Sequence, residues 1–156
     1  MRGSSNEVEL GLKAQRKQSL SKEHFAKVPA AVFDYDISLA EFKMLIFLYM
    51  LQLPFQVTLI HSDYFHFVEK RAYSTYLLGL HRKKYIYKFY SKFHDHTVVL
   101  LAHDYLYGLY YLYEMGMKEH IAPIIEHFTG KKDLDKVLSH LTGQEYLDAI
   151  KDAVNH

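Results

Sequence analysis

The chain has 156 residues, with 19 Lys and Arg against 18 Asp and Glu and a formal net charge of +1. That balance excludes a generic polyanion coat, and 49% hydrophobic residues exclude a wholly disordered chain. The absence of Cys rules out disulfide scaffolds, thiolate zinc sites and cysteine nucleophiles, and fits a cytoplasmic protein. The longest apolar run, around residues 44–53, is too short and too interrupted to span a bilayer, and the first residues lack the apolar core of a signal peptide, so no membrane partner is expected.

Residues 1–20 are polar, rich in Ser, Gln and Lys, and read as a flexible arm. The first strong element starts at Ser38-Leu39-Ala40-Glu41, which has the form of a capping box: the Ser hydroxyl accepts the N3 amide and Glu41 reaches back to the cap amide. Ile37 and Phe42 have the spacing of a hydrophobic staple. Leu45, Ile46, Leu48 and Tyr49 continue a core helix that must stop near Pro54.

Phe55-Gln56-Val57-Thr58-Leu59-Ile60 has the composition of a short strand. His61-Ser62-Asp63 offers caps for a short helix through Val68, with Thr58 as an earlier alternative. From about Lys70 to Lys84 a helix places Tyr73, Leu77 and Leu80 on one face and Lys70, Arg71, Ser74 and Thr75 on the other. Arg82-Lys83-Lys84 falls in its last turn and complements the helix dipole.

The chain then alternates. Tyr85, Tyr87, Phe89, Ser91 and Phe93 share one side, expected to face the core; Ile86, Lys88, Tyr90 and Lys92 share the other, expected to be basic and exposed. A turn at His94-Asp95-His96 returns through Thr97-Val98-Val99-Leu100-Leu101, completing a hairpin. Helical patterning resumes at 105–115, with Gly116 as C-cap, and again at about 118–128, 133–141 and 144–154. Residues 61–97 hold seven Lys or Arg and three acids, whereas residues 98–156 hold five and nine. One face of a nearly neutral protein can therefore meet phosphates while its acidic remainder faces away.

The order of helix, short strand, helix, helix and two-stranded hairpin resembles the winged helix-turn-helix family. Two stretches carry the likeness, Phe25-Ala26-Lys27-Val28-Pro29 through Asp36-Ile37-Ser38-Leu39-Ala40-Glu41-Phe42-Lys43-Met44-Leu45, and Lys70 through Ile86. They are similar to domains of plasmid and phage replication, partition and transcription-regulator proteins. The resemblance covers roughly residues 25–102 and departs where many members carry Gly before the recognition helix, since this chain reads Phe67-Val68-Glu69. It implies a mainly α fold with a small β-wing, in which residues 21–103 form a DNA-binding domain and residues 104–156 a C-terminal helical region.

It also implies double-stranded DNA as partner. Carried onto this chain, Lys70, Arg71, Ser74 and Thr75 would read base edges. Arg82, Lys83, Lys84, Lys88 and Lys92 would contact phosphates, joined by His94 and His96 at the wing tip. Tyr105, Leu109, Leu112 and Tyr113 fall in a Tyr-rich run with no interleaved Lys or Arg, which suits core packing or a dimer or partner interface better than base stacking. A homodimer is expected, with the acidic C-terminal helices as a further protein-binding surface. A protein-interaction module of the same fold, without DNA, is the rival reading.

Other chemistry finds little support. His94-Asp95-His96 with His103 is the best metal candidate but lacks a complete ligand set, so no metal is expected. Thr129-Gly130-Lys131-Lys132 lacks the flanking residues of a P-loop, and no dinucleotide fingerprint or nucleophile elbow occurs. Neither a cofactor nor an enzymatic activity is expected.

Overall fold

A computed structural model describes residues 28–64 and 70–156. The expected arm at residues 1–20, the Phe25-Ala26-Lys27 lead-in and the Phe67-Val68-Glu69 turn lie outside the described residues. Helix α1 spans Leu39–Met50 behind a 3-10 turn at Ala30–Asp34. Its capping box is formed: the Glu41 amide donates to Ser38 Oγ at 3.2 Å, and the Ser38 amide donates to Glu41 Oε1 at 3.0 Å. Met44, Leu45, Leu48 and Tyr49 are buried along it. The helix stops four residues ahead of Pro54, and the Gln56 backbone is left-handed at φ 61°. That turn takes Phe55 and Gln56 away from the expected strand, so β1 is only Thr58–Ile60.

A 3-10 turn at Ser62–Tyr64 precedes helix α2, Lys70–Arg82. Strands β2, Ile86–Ser91, and β3, His96–Leu101, form the hairpin. The sheet is antiparallel in the order β1-β3-β2, with Leu59 opposite Val98 and Phe89 also opposite Val98. Helices α3 (Leu106–Glu114), α4 (Ile121–Thr129), α5 (Leu134–Leu138) and α6 (Gly143–Asn155) follow, with a 3-10 turn at Lys118–His120. Gly116 and Gly130 take left-handed φ of 75° and 77° where α3 and α4 end, a conformation that costs glycine little.

The chain is thus mainly helical around a small sheet, and the sheet is covered on both sides. Ile60, Ile86, Val99 and Leu101 pack with α1 and α2. Leu59, Val98 and Leu100 pack with Leu109, Leu112, Ile121, Ile124, Ile125, Tyr146 and Ile150 of the C-terminal helices. The expectation of one core-facing and one basic, exposed hairpin side is therefore corrected. Ile86, assigned to the exposed side, is fully buried, and Tyr87 and Phe89 pack against the C-terminal layer. The reason lies in β3: Val98-Val99-Leu100-Leu101 is apolar at every position, the mark of a strand buried on both faces. Contact is close, because a β-carbon on Gly108 of α3 would come within 2.8 Å of the Gln56 carbonyl and 2.9 Å of Leu100.

Candidate nucleic-acid interface

Helix α2 sorts its residues by period. Tyr73, Leu77 and Leu80 are buried toward α1, while Arg71, Ser74, Thr75, Leu78 and Arg82 form an exposed stripe along the opposite face. Arg71, Ser74 and Thr75 thus stand in solvent as a base-reading set requires; the Lys70 side chain falls outside the described residues. Thr75 Oγ1 donates back to the Arg71 carbonyl at 3.1 Å, so its acceptor lone pairs rather than its proton face outward.

The expected phosphate contacts divide. Arg82, Lys84 and Lys92 are exposed, and Lys88 is half-buried. Lys84 has a left-handed backbone, φ 66°, at the step from α2 into β2, and lines an open cleft of about 390 Å³ with Asp104, Tyr105, Phe128 and Asn155. Burial raises the Asp104 carboxyl pKa, against the opposing pull of a hydrogen bond from Gln52. Lys83 does something else. Its ammonium sits 3.0 Å from Glu41 Oε1 and ties the end of α2 to the start of α1. Burial pushes the Glu41 carboxyl up, but the Ser38 amide and Lys83 outweigh it and hold the group below its usual range. Lys83 is thus a structural cation first.

The two histidines assigned to the wing tip are withdrawn from it. His94 is 5% exposed, with Nδ1 at 2.7 Å from Ser91 Oγ and Nε2 at 2.8 Å from the Tyr111 hydroxyl of α3. Burial, with some repulsion from His96, lowers its pKa to about 4, so it is neutral at neutral pH and cannot attract phosphate. His96 is half-buried; its Nδ1 donates to the His94 carbonyl and its Nε2 meets the Tyr64 hydroxyl at 3.0 Å. What remains exposed at the tip is Tyr90, Lys92, Phe93 and Asp95. Phe93 departs from the expected core-facing side: the strand ends at Ser91, the alternation ends with it, and the ring turns out into solvent.

The proposed interface residues in α3 are mostly interior. Tyr105, Leu109 and Leu112 belong to the chain's own core, and Tyr113 stacks on Tyr146 at 5.0 Å with its hydroxyl accepting the Gly143 amide at 3.1 Å. The Tyr-rich run is helical and amphipathic, and its apolar stripe is taken up by the sheet and by α6.

One set of contacts had no sequence signal. His81, in the last turn of α2, accepts the Lys88 amide through Nδ1 at 3.1 Å and stacks on His127 of α4 with ring centres 4.4 Å apart. His127 Nε2 in turn donates to the Ile86 carbonyl at 2.9 Å. Burial, then the neighbouring His127 and Lys88, lower the His81 pKa to about 4, and burial lowers that of His127. Together these imidazoles lock α2, the β2 edge and the C-terminal layer together. Among the described residues no helix is long and apolar enough to cross a membrane. No family model, curated protein or solved structure matches this chain.

Proposed function

We propose that this chain is a winged helix-turn-helix protein that binds double-stranded DNA, reading sequence with the exposed face of α2. The observation that carries the reading is the Arg71, Ser74, Thr75, Leu78 and Arg82 stripe, exposed on a helix whose other face packs against α1. The β1-β3-β2 order behind it, with β1 lying between α1 and α2 in sequence, is compatible with a winged helix. Arg71 supplies a bidentate donor for a guanine edge, and Ser74 and Thr75 supply less discriminating contacts. Arg82, Lys84 and Lys92 fix the orientation through phosphates. The biological role is that of a transcriptional regulator or of a replication or partition factor of a mobile element, in the cytoplasm. Self-association, also part of the reading, would use solvent-facing side chains of the C-terminal layer such as Tyr107 and Val137.

Selection of bound sequences from a random duplex pool, followed by a salt titration of the selected duplex, tests this. A recovered consensus and an affinity that falls steeply with salt are expected. No duplex retention at low salt would sink the reading. It would favour instead an interaction module, for which the exposed Phe33 and Leu39 beside the start of α1 are the motivating surface.

A further inference from the structure

The hairpin tip carries two large exposed rings around a lysine. Tyr90 is 59% exposed and Phe93 55%, with Lys92 exposed between them. The rings are held in place rather than left loose. The Tyr90 hydroxyl donates to Asp95 Oδ1 at 2.6 Å, and Asp95 closes the turn with φ 53°. Ser91 and His94 bond to each other at 2.7 Å, and His94 bonds onward to Tyr111 of α3, anchoring the base of the tip to the C-terminal layer. The Phe93 ring stands edge-on to the His94 ring at 5.0 Å, which fixes its direction.

The hairpin that carries the tip starts beside the end of α2. The Lys88 amide is bonded to His81 in the last turn of α2. Tyr90 lies two residues further along β2, about 7 Å away, and on the same sheet face as Lys88. A carboxylate at the crest, Asp95, disfavours docking directly on phosphate, whereas exposed ring faces suit bases or sugars.

Resting on the DNA-binding reading above, we propose that the tip is a wedge. Phe93 enters between adjacent base pairs of the bound duplex, Tyr90 packs on the neighbouring sugar edge, and Lys92 meets the flanking phosphate. Insertion of an apolar side chain unstacks a base step and untwists the duplex, and flexible pyrimidine–purine steps accept it most readily.

The test uses the full chain and relaxed closed circular plasmid with topoisomerase I at low salt, followed by removal of protein and separation of topoisomers. The wild-type chain should shift the linking number in proportion to the protein bound. Phe93→Ala, compared at protein concentrations adjusted to give equal retardation, should lose the linking shift; Phe93→Trp should keep it. Wild-type protein that retards the plasmid without changing its linking number overturns the wedge and leaves the DNA reading standing. A Phe93→Ala shift equal to wild type also overturns it. Plasmid that is not retarded at all removes both, and the same gel makes that outcome visible.

Discussion

The Glu41 carboxylate accepts the Ser38 amide and pairs with Lys83, and Gly79 of α2 leaves the space it occupies: a β-carbon there would meet Glu41 Oε2. Gly79→Ala gains about 1 kcal/mol of helix propensity. It also displaces a nearly buried, doubly bonded carboxylate, at a cost of about 1.5–3 kcal/mol for bonds to a charged group. A net loss of about 1 kcal/mol in urea unfolding is the expected outcome, and a more stable variant would contradict it. His94 gives a pH dependence of definite sign. Its folded-state pKa is about 4, below the ordinary 6.5. The unfolded chain takes up that proton near pH 6.5, while the folded chain does so only near pH 4. Stability is therefore full above the unfolded value and declines as pH falls through this window, by at most about 3 kcal/mol from this residue. His81, lowered by burial and by the neighbouring His127 and Lys88, acts in the same direction. Denaturation curves at several pH values should show this decline, and His94→Gln should flatten it.

At the scale of single elements, neighbouring lysines after α2 have different duties. Lys84→Ala should reduce the salt slope of DNA binding by about one phosphate contact and leave stability nearly unchanged. Lys83→Ala should instead destabilise the fold by about 1–2 kcal/mol, because Glu41 is left nearly buried without its cation. Glu41→Gln in the same chain should recover part of that loss, which a double-mutant cycle measures. Arg71→Ala should relax sequence preference at one base pair by about 1–3 kcal/mol, seen as a flattened position in the selected consensus. Local sequence was a good guide here. The capping box of α1 and the buried and exposed faces of α2 were legible because a cap bonds three residues away and a helix face repeats every 3.6. The ion pair of Lys83 was not legible in the same way, because its partner lies 42 residues earlier in the chain.

At the scale of the molecule, the sheet is shared. Its two faces support the N-terminal helices and the C-terminal helices, so the expected division near residue 103 does not separate two cores. Leu109→Ala, in the layer away from α2, should cost about 2–5 kcal/mol. Unfolding should remain a single transition, coincident by circular dichroism and tyrosine fluorescence. Two transitions, with only the second unaffected by the substitution, would show that the layers fold apart. The His81–His127 stack and the His94–Tyr111 bond add polar links across the same junction.

By itself the sequence determined the elements: a capped core helix, an amphipathic basic helix, an alternating hairpin and a run of C-terminal helices. Each depends on contacts within a few residues and on the period of apolar positions, and both are written along the chain. Only the tertiary structure decided what each face meets. Whether Ile86, His94 or Leu109 is exposed depends on which distant segment covers it. Alternation distinguishes the two sides of a strand, but it does not say that both are buried. The exposed stripe of α2 survived that test because its opposite face is held by α1, and the aromatic tip emerged from it because strand geometry ends at Ser91.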